Sequence, residues 1–275
     1  MKDLISLIKE VGASFNKDDI SGMAAQLSYF FLLSLFPFMI FLVTLLGYLR
    51  LSQERLLAFI HTYAPPETYT LIQENLTELM ENQNGGLLSI GIIGTLWSAS
   101  NGVNSIMRAF NRAYEVEESR SPIVGRVIAI VLTVSMIGVI AVAFLLPVFG
   151  KMIGVYLFSI FGLSAGFLEL WNALRWVISS IIFFVVLMFL YMLAPNKYIK
   201  LKHAFPGAVF ATIGWQIVSL LFSFYVSSMG NYSATYGSLG GFIVLMIWFY
   251  LSGIIIILGG EVNAIIRRRK LGIPS

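Results

Sequence analysis

The chain has 275 residues, of which 58% are hydrophobic and only 12% charged, and its mean hydropathy is +0.85. A soluble domain carries about 25% charged residues, so much of the polar coat that water demands is missing and lipid must take its place. The net charge of +4 fits a membrane chain that keeps Lys and Arg on one side better than it fits nucleic-acid binding, and the absence of cysteine excludes disulfides and thiolate chemistry.

Residues 3–16 predict an amphipathic surface helix, with Leu4, Ile8, Val11 and Phe15 on one face and Lys2, Lys9 and Lys17 placed for anionic lipid headgroups. Lys9, Glu10 and Lys17 interrupt its apolar residues, so it does not read as a cleavable signal. A spanning helix needs about 20 apolar residues, and six runs qualify: 27–49, 88–107, 127–149, 176–194, 205–228 and 239–260. Between the first two, the outer loop 50–87 contains Pro65-Pro66 and a second amphipathic helix over 68–83, carrying Ile72, Leu76, Leu79 and Met80. Residues 150–170 are apolar but broken by Gly154, Gly162 and Gly166, and read as an interfacial or re-entrant element on the outer side.

With the N-terminus inside, the cytoplasmic segments hold 14 of the 18 basic residues, leaving Arg50, Arg55, Lys151 and Arg175 outside. Both termini are therefore expected in the cytoplasm. No internal repeat or linker divides the chain, which predicts a single all-α integral membrane domain over residues 1–275.

The most informative segment is WSASNGVNSIMRAFNRAYEVEESR, residues 97–120. At 100° per residue, Trp97, Asn101, Asn104, Arg108 and Asn111 fall within an arc of about 80° on one helical face. Polar groups at membrane depth normally face a protein interior or a cavity, so this row marks a candidate substrate pathway. Hydrogen bonding between helices is the competing explanation. Gln26, near the inner end of the first span, and Gln216, in the fifth, join the candidate pathway. Pro37 inside the first span predicts a kink or a freed carbonyl. Asn231, Tyr232, Tyr236 and Ser238 mark an outer mouth, although interfacial tyrosines are common. Glu261 is a candidate coupling group or charge partner for Arg108 or Arg112. Arg267, Arg268, Arg269 and Lys270 read as a cytoplasmic anchor.

The stretches AAQLSYFFLLSLFPF, WSASNGVNSIMRAFNRAYEVEESRS, APNKYIKLKHAFPGA and YGSLGGFIVLMIWFYLSGIIIILGGEVNA resemble the YihY, or virulence factor BrkB, family over nearly the whole chain. The resemblance implies a six-span protein of the bacterial cytoplasmic membrane, with transport or lipid translocation the suggested activity. It brings no catalytic motif to carry over. The ribonuclease label that the family has borne finds no physical support in the residues. His61 and His203 are expected on opposite sides of the membrane, and Glu115, Glu117 and Glu118 sit beside Arg112 and Arg120 without a metal-ligand spacing. An intramembrane protease built on Ser238 lacks a matching base.

The expectation is a non-enzymatic transporter or lipid translocator, without metal or cofactor, that moves a polar or amphipathic solute through a cavity open to the cytoplasm. The alternative is a non-transporting scaffold or accessory subunit of an envelope complex.

Overall fold

A computed structural model describes residues 2–48, 85–138, 165–228 and 239–272. Among them are seven helices and no strand: α1 (Lys2–Lys17), α2 (Ile20–Tyr48), α3 (Gly85–Ala113), α4 (Pro122–Gly138), α5 (Ala165–Leu193), α6 (Leu201–Ser228) and α7 (Leu239–Leu271). The expected helix over 68–83, His61, the end of the 127–149 run and most of the 150–170 element lie outside the described residues. The last part of that element, residues 165–170, belongs to α5.

Five helices, α2, α3, α5, α6 and α7, are long and apolar enough to cross a membrane, while the described part of α4 is a shorter apolar helix. Several helices outrun their apolar stretches. α3 continues past Met107 to Ala113, and α7 past Gly260 to Leu271, because helical hydrogen bonding continues where hydropathy no longer signals it. α2 runs unbroken through Pro37.

The chain divides into two compact units, residues 31–99 and residues 1–30 with 100–275. In the first, Gly91 and Gly94 of α3 lie against Phe41 and Pro37 of α2; a methyl group at Gly91 would come within 2.7 Å of the Phe41 backbone. Small residues at that contact let the two helices approach closely.

In the second unit the ends of the helices meet. Arg269 of α7 donates to Ser6 and Glu10 of α1, at 2.6 and 2.5 Å. Asn111 of α3 accepts from the Asn196 backbone at the α5–α6 junction (2.7 Å), and Arg120, ahead of α4, donates to the Ala194 carbonyl that follows α5 (3.2 Å). At this end α2, α4 and α6 depart while α3, α5 and α7 arrive. Three departures match three arrivals, the alternation that the six apolar runs require.

The seam between α6 and α7 is the tightest contact. A side chain at Gly207 would collide with the Gly259 carbonyl, and one at Gly260 with the Phe110 ring. Asn263, fully buried, accepts from the Gly207 N–H at 2.6 Å and donates to the Ala204 carbonyl at 3.1 Å. These bonds bracket Pro206, which has no N–H to contribute to the first turns of α6. Tyr191 of α5, also buried, donates to the Ile256 carbonyl at 2.8 Å and packs its ring 5.2 Å from that of Phe110. Outward, Ile213, Ile217, Leu220 and Phe224 form an exposed stripe along α6, the composition expected of a lipid-facing surface.

Candidate functional site

The polar row of α3 proves to be divided in its use. Asn101 accepts from Arg126 of α4 at 2.6 Å. Asn111, buried, donates to Glu118 at 2.8 Å while accepting from the Asn196 backbone. Both residues hold segments together. Arg108, by contrast, is exposed, and its guanidinium donates to Gln26 of α2 at 2.6 Å and to Ser105 at 3.3 Å. The buried Ser105 hydroxyl completes the triangle by donating to the same Gln26 oxygen at 3.1 Å. Asn104, half-buried one turn before Arg108, makes no side-chain hydrogen bond among the described residues. Trp97 is 60% exposed and belongs to the other unit.

Sequence reasoning thus brought Gln26 and Arg108 to the same place, and the structure joins them directly. It does not join Glu261 to either arginine. Glu261 is completely buried, and neither carboxylate oxygen has a hydrogen-bond partner among the described residues. The buried Ser14 hydroxyl of α1 lies beside it without forming a well-aligned bond. Arg112 reaches instead toward Asp19, at 3.9 Å. α1 thus lays Ser14 against Glu261, while its apolar Ile5 and Ile8 stay exposed.

Gln216 sits elsewhere. It donates to Ser180 of α5 at 2.8 Å and lines an open groove of about 400 Å³ between α5 and α6, walled by Trp176, Ile181 and Ile213. Asn231, Tyr232, Tyr236 and Ser238 lie outside the described residues. Among the described residues no cluster of His, Asp and Glu has the arrangement of a metal site.

Three residues that sequence reasoning passed over carry much of the polar structure. Asn263 was legible only as an asparagine two positions after Glu261 in GGEVNA. Asn196 ties the α5–α6 junction to the α3–α4 loop, donating to the Glu117 carbonyl and the Ser119 hydroxyl at 2.8 Å each. Arg120 wraps that junction through the Ala194 and Pro195 carbonyls and Asn196.

An all-α bundle whose long apolar helices carry buried polar side chains defines a multi-pass membrane protein. The chain matches the virulence factor BrkB family over residues 11–273 and belongs to it. It is 54% identical over 266 residues, 97% of both chains, to YfkH of Bacillus subtilis (strain 168), which is described as ribonuclease-like. It is also 28% identical to a UPF0761 membrane protein of Alteromonas mediterranea, covering 89% of this chain and 82% of that one. A UPF0761 membrane protein of Photobacterium profundum is 26% identical, over 98% and 83% of the two chains. No solved structure matches the chain.

Proposed function

We propose that the protein is a transporter or lipid translocator of the bacterial cytoplasmic membrane, with both termini in the cytoplasm, and that Gln26, Asn104 and Arg108 line its path for a polar or amphipathic solute. One observation carries this reading. The Arg108–Gln26 pair is exposed on helices of membrane-spanning length and adjoins the unbonded Asn104. An exposed guanidinium is costly in lipid and favours a hydrated cavity or a headgroup layer. An asparagine with no hydrogen-bond partner among the described residues keeps both its donor and its acceptor for a solute. The concentration of basic residues at the end where α1 and α7 meet supports the cytoplasmic assignment. This reading assigns no enzymatic reaction to the chain; the ribonuclease-like description belongs to YfkH.

A scaffold role is the second reading. It draws on the Asn101–Arg126, Asn111–Glu118 and Asn111–Asn196 bonds, in which the polar row knits segments together. Proteoliposomes separate the two. A fluorescent phospholipid should cross leaflets faster with the wild-type protein than without it, and Q26L/N104L should slow this at least tenfold while the thermal midpoint moves by less than about 3 °C. Wild-type vesicles no faster than protein-free ones, or full activity in Q26L/N104L, would overturn lipid translocation along this path. Collapse of the fold in the double variant would favour the scaffold.

A further inference from the structure

Where α3 ends, the α5–α6 junction and the last turns of α7 enclose a small half-open pocket. Tyr114, Lys197, Arg267 and Arg268 line it over an apolar floor that includes Ala113 and Ala264. Three cations converge there with little to balance them. Arg268 shares Glu115, at 3.3 Å, with Lys17, and this pair is partly exposed. Lys197 and Arg267 make no ion pair among the described residues. Glu261 is buried near Tyr114 but does not reach hydrogen-bond distance of these groups.

Keeping Lys and Arg on one side of a membrane explains why cations are at this end. It does not explain two buried donors without acceptors. Tyr114 is 7% exposed and its hydroxyl has no partner among the described residues, and the Arg267 Nε–H is likewise buried and unpaired among them. The Arg267 guanidinium stands 5.9 Å from the centre of the Tyr114 ring. An unsatisfied buried donor costs about 1–3 kcal/mol, a cost that an arriving acceptor removes. Burial holds the Tyr114 hydroxyl well above the usual phenol range, so it remains a neutral donor. Burial first, and the Arg267 charge second, lower the Lys197 ammonium from its ordinary value; a nearby anion would reverse the second effect.

We propose that this pocket binds a phosphate group, with Arg267 and Lys197 supplying charge and Tyr114 a neutral hydrogen bond. The cavity, about 40 Å³, admits a group of a few heavy atoms, which suits a single phosphate and excludes a nucleotide. The planar donors of an arginine match the oxygens of such an anion. The phosphate arrives either on an anionic glycerophospholipid whose chains stay in the bilayer or as the free ion. The site stands apart from Gln26, Asn104 and Arg108, and its assignment does not rest on the transport reading.

Binding to the full chain, delipidated in a neutral detergent, tests the proposal. Native mass spectrometry would follow phosphatidylglycerol, and thermal unfolding would follow inorganic phosphate. Phosphatidylglycerol should fill one saturable site that weakens as salt rises, at least tenfold more weakly in K197Q/R267Q and about threefold in Y114F. Competition by inorganic phosphate alone would identify the free ion as a sufficient ligand. Lipid binding without that competition would make the headgroup the source. If K197Q/R267Q fails to fold, K197Q at the exposed lysine carries the test, with an expected loss of at least threefold. Binding unchanged by these substitutions, or no saturable binding of either ligand to the wild-type protein, overturns the site.

Discussion

Along the α6–α7 seam, Asn263 uses its amide to pair the Gly207 N–H and the Ala204 carbonyl, and two glycines bring the backbones together. On the α2–α3 face, Gln26 and Arg108 bond each other yet stay exposed, and the Asn104 amide is unpaired among the described residues. Both regions are polar within long apolar helices. At the seam the Asn263 amide is matched on both sides, whereas the face has bonding capacity left over. In a membrane, leftover capacity is expensive unless water or a ligand takes it up. Polar residues in the spans therefore carry information about function only after the paired ones have been removed from consideration.

The sharpest way to break this comparison is at the seam. Gly207→Val puts a branched side chain where the Gly259 carbonyl and Asn263 already stand; the first is backbone and the second is a buried amide tied by two hydrogen bonds. The two helices would have to separate, a loss on the order of 4 kcal/mol or more. The variant should fail to give a single folded species by size-exclusion chromatography in detergent. Recovery of a wild-type profile would mean that the helices do not close as tightly as the contact implies.

Asn263→Leu is the next largest. It keeps the side chain's approximate bulk but leaves the Gly207 N–H and the Ala204 carbonyl without their partner. At about 1–3 kcal/mol for each unsatisfied group, partly offset by helical bonding of the carbonyl, a loss of about 2–4 kcal/mol is expected, read as a lower thermal midpoint. Gln26→Leu should cost far less in the same measurement, because the exposed Arg108 can turn to water and the buried Ser105 hydroxyl can bond back to a carbonyl of its own helix. Equal losses at the two positions would erase the distinction between a closed seam and an open face.

The parts legible in the sequence were those that follow from one-dimensional rules. Apolar runs marked α2, α3, α5, α6 and α7 because burial in lipid demands continuous apolar helix. The spacing of the row placed Asn101, Asn104 and Arg108 on one face, and proximity to the inner end of the first span suggested Gln26. The exact partners could not be read this way. Arg108 bonds Gln26, while Glu261 lies buried beside Ser14 of α1, a residue far from both Arg108 and Glu261 in the chain. Asn263 looked like any polar residue near a helix end until Pro206 and Gly207 were seen against it. Tyr114 was not singled out by any sequence rule, and only the structure buries its hydroxyl beside Arg267.

The smallest effect concerns Glu115, whose backbone ends α3 and whose side chain pairs with α1 and α7. It ends α3 with a left-handed conformation (φ 52°), the Val116 and Glu115 N–H groups donating back to the Asn111 and Arg112 carbonyls at 2.9 Å each. Glycine is usual at this position, and another residue there costs about 1–2 kcal/mol. Its carboxylate meets Lys17 of α1 at 3.2 Å and Arg268 of α7 at 3.3 Å, both partly exposed pairs worth roughly 0–1 kcal/mol each. The two contributions nearly cancel, so Glu115→Gly should match wild-type stability at neutral pH to within about 1 kcal/mol. The hydrogen bond from Lys17, then the Lys17 and Arg268 charges, lower the Glu115 carboxyl from its ordinary value of 4.5. Its folded value lies below its unfolded one, so the stabilisation is present above the ordinary carboxylate range and fades as pH falls through the folded value. Acidification below pH 4.5 should therefore move the balance toward the glycine variant. Glu115→Gln, which retains the backbone cost without the charge, should be the least stable of the three at neutral pH. If Glu115→Gly is instead the least stable at neutral pH, the carboxylate clip between α1 and α7 outweighs the strain, and the docking of α1 depends on it more than exposed ion pairs ordinarily allow.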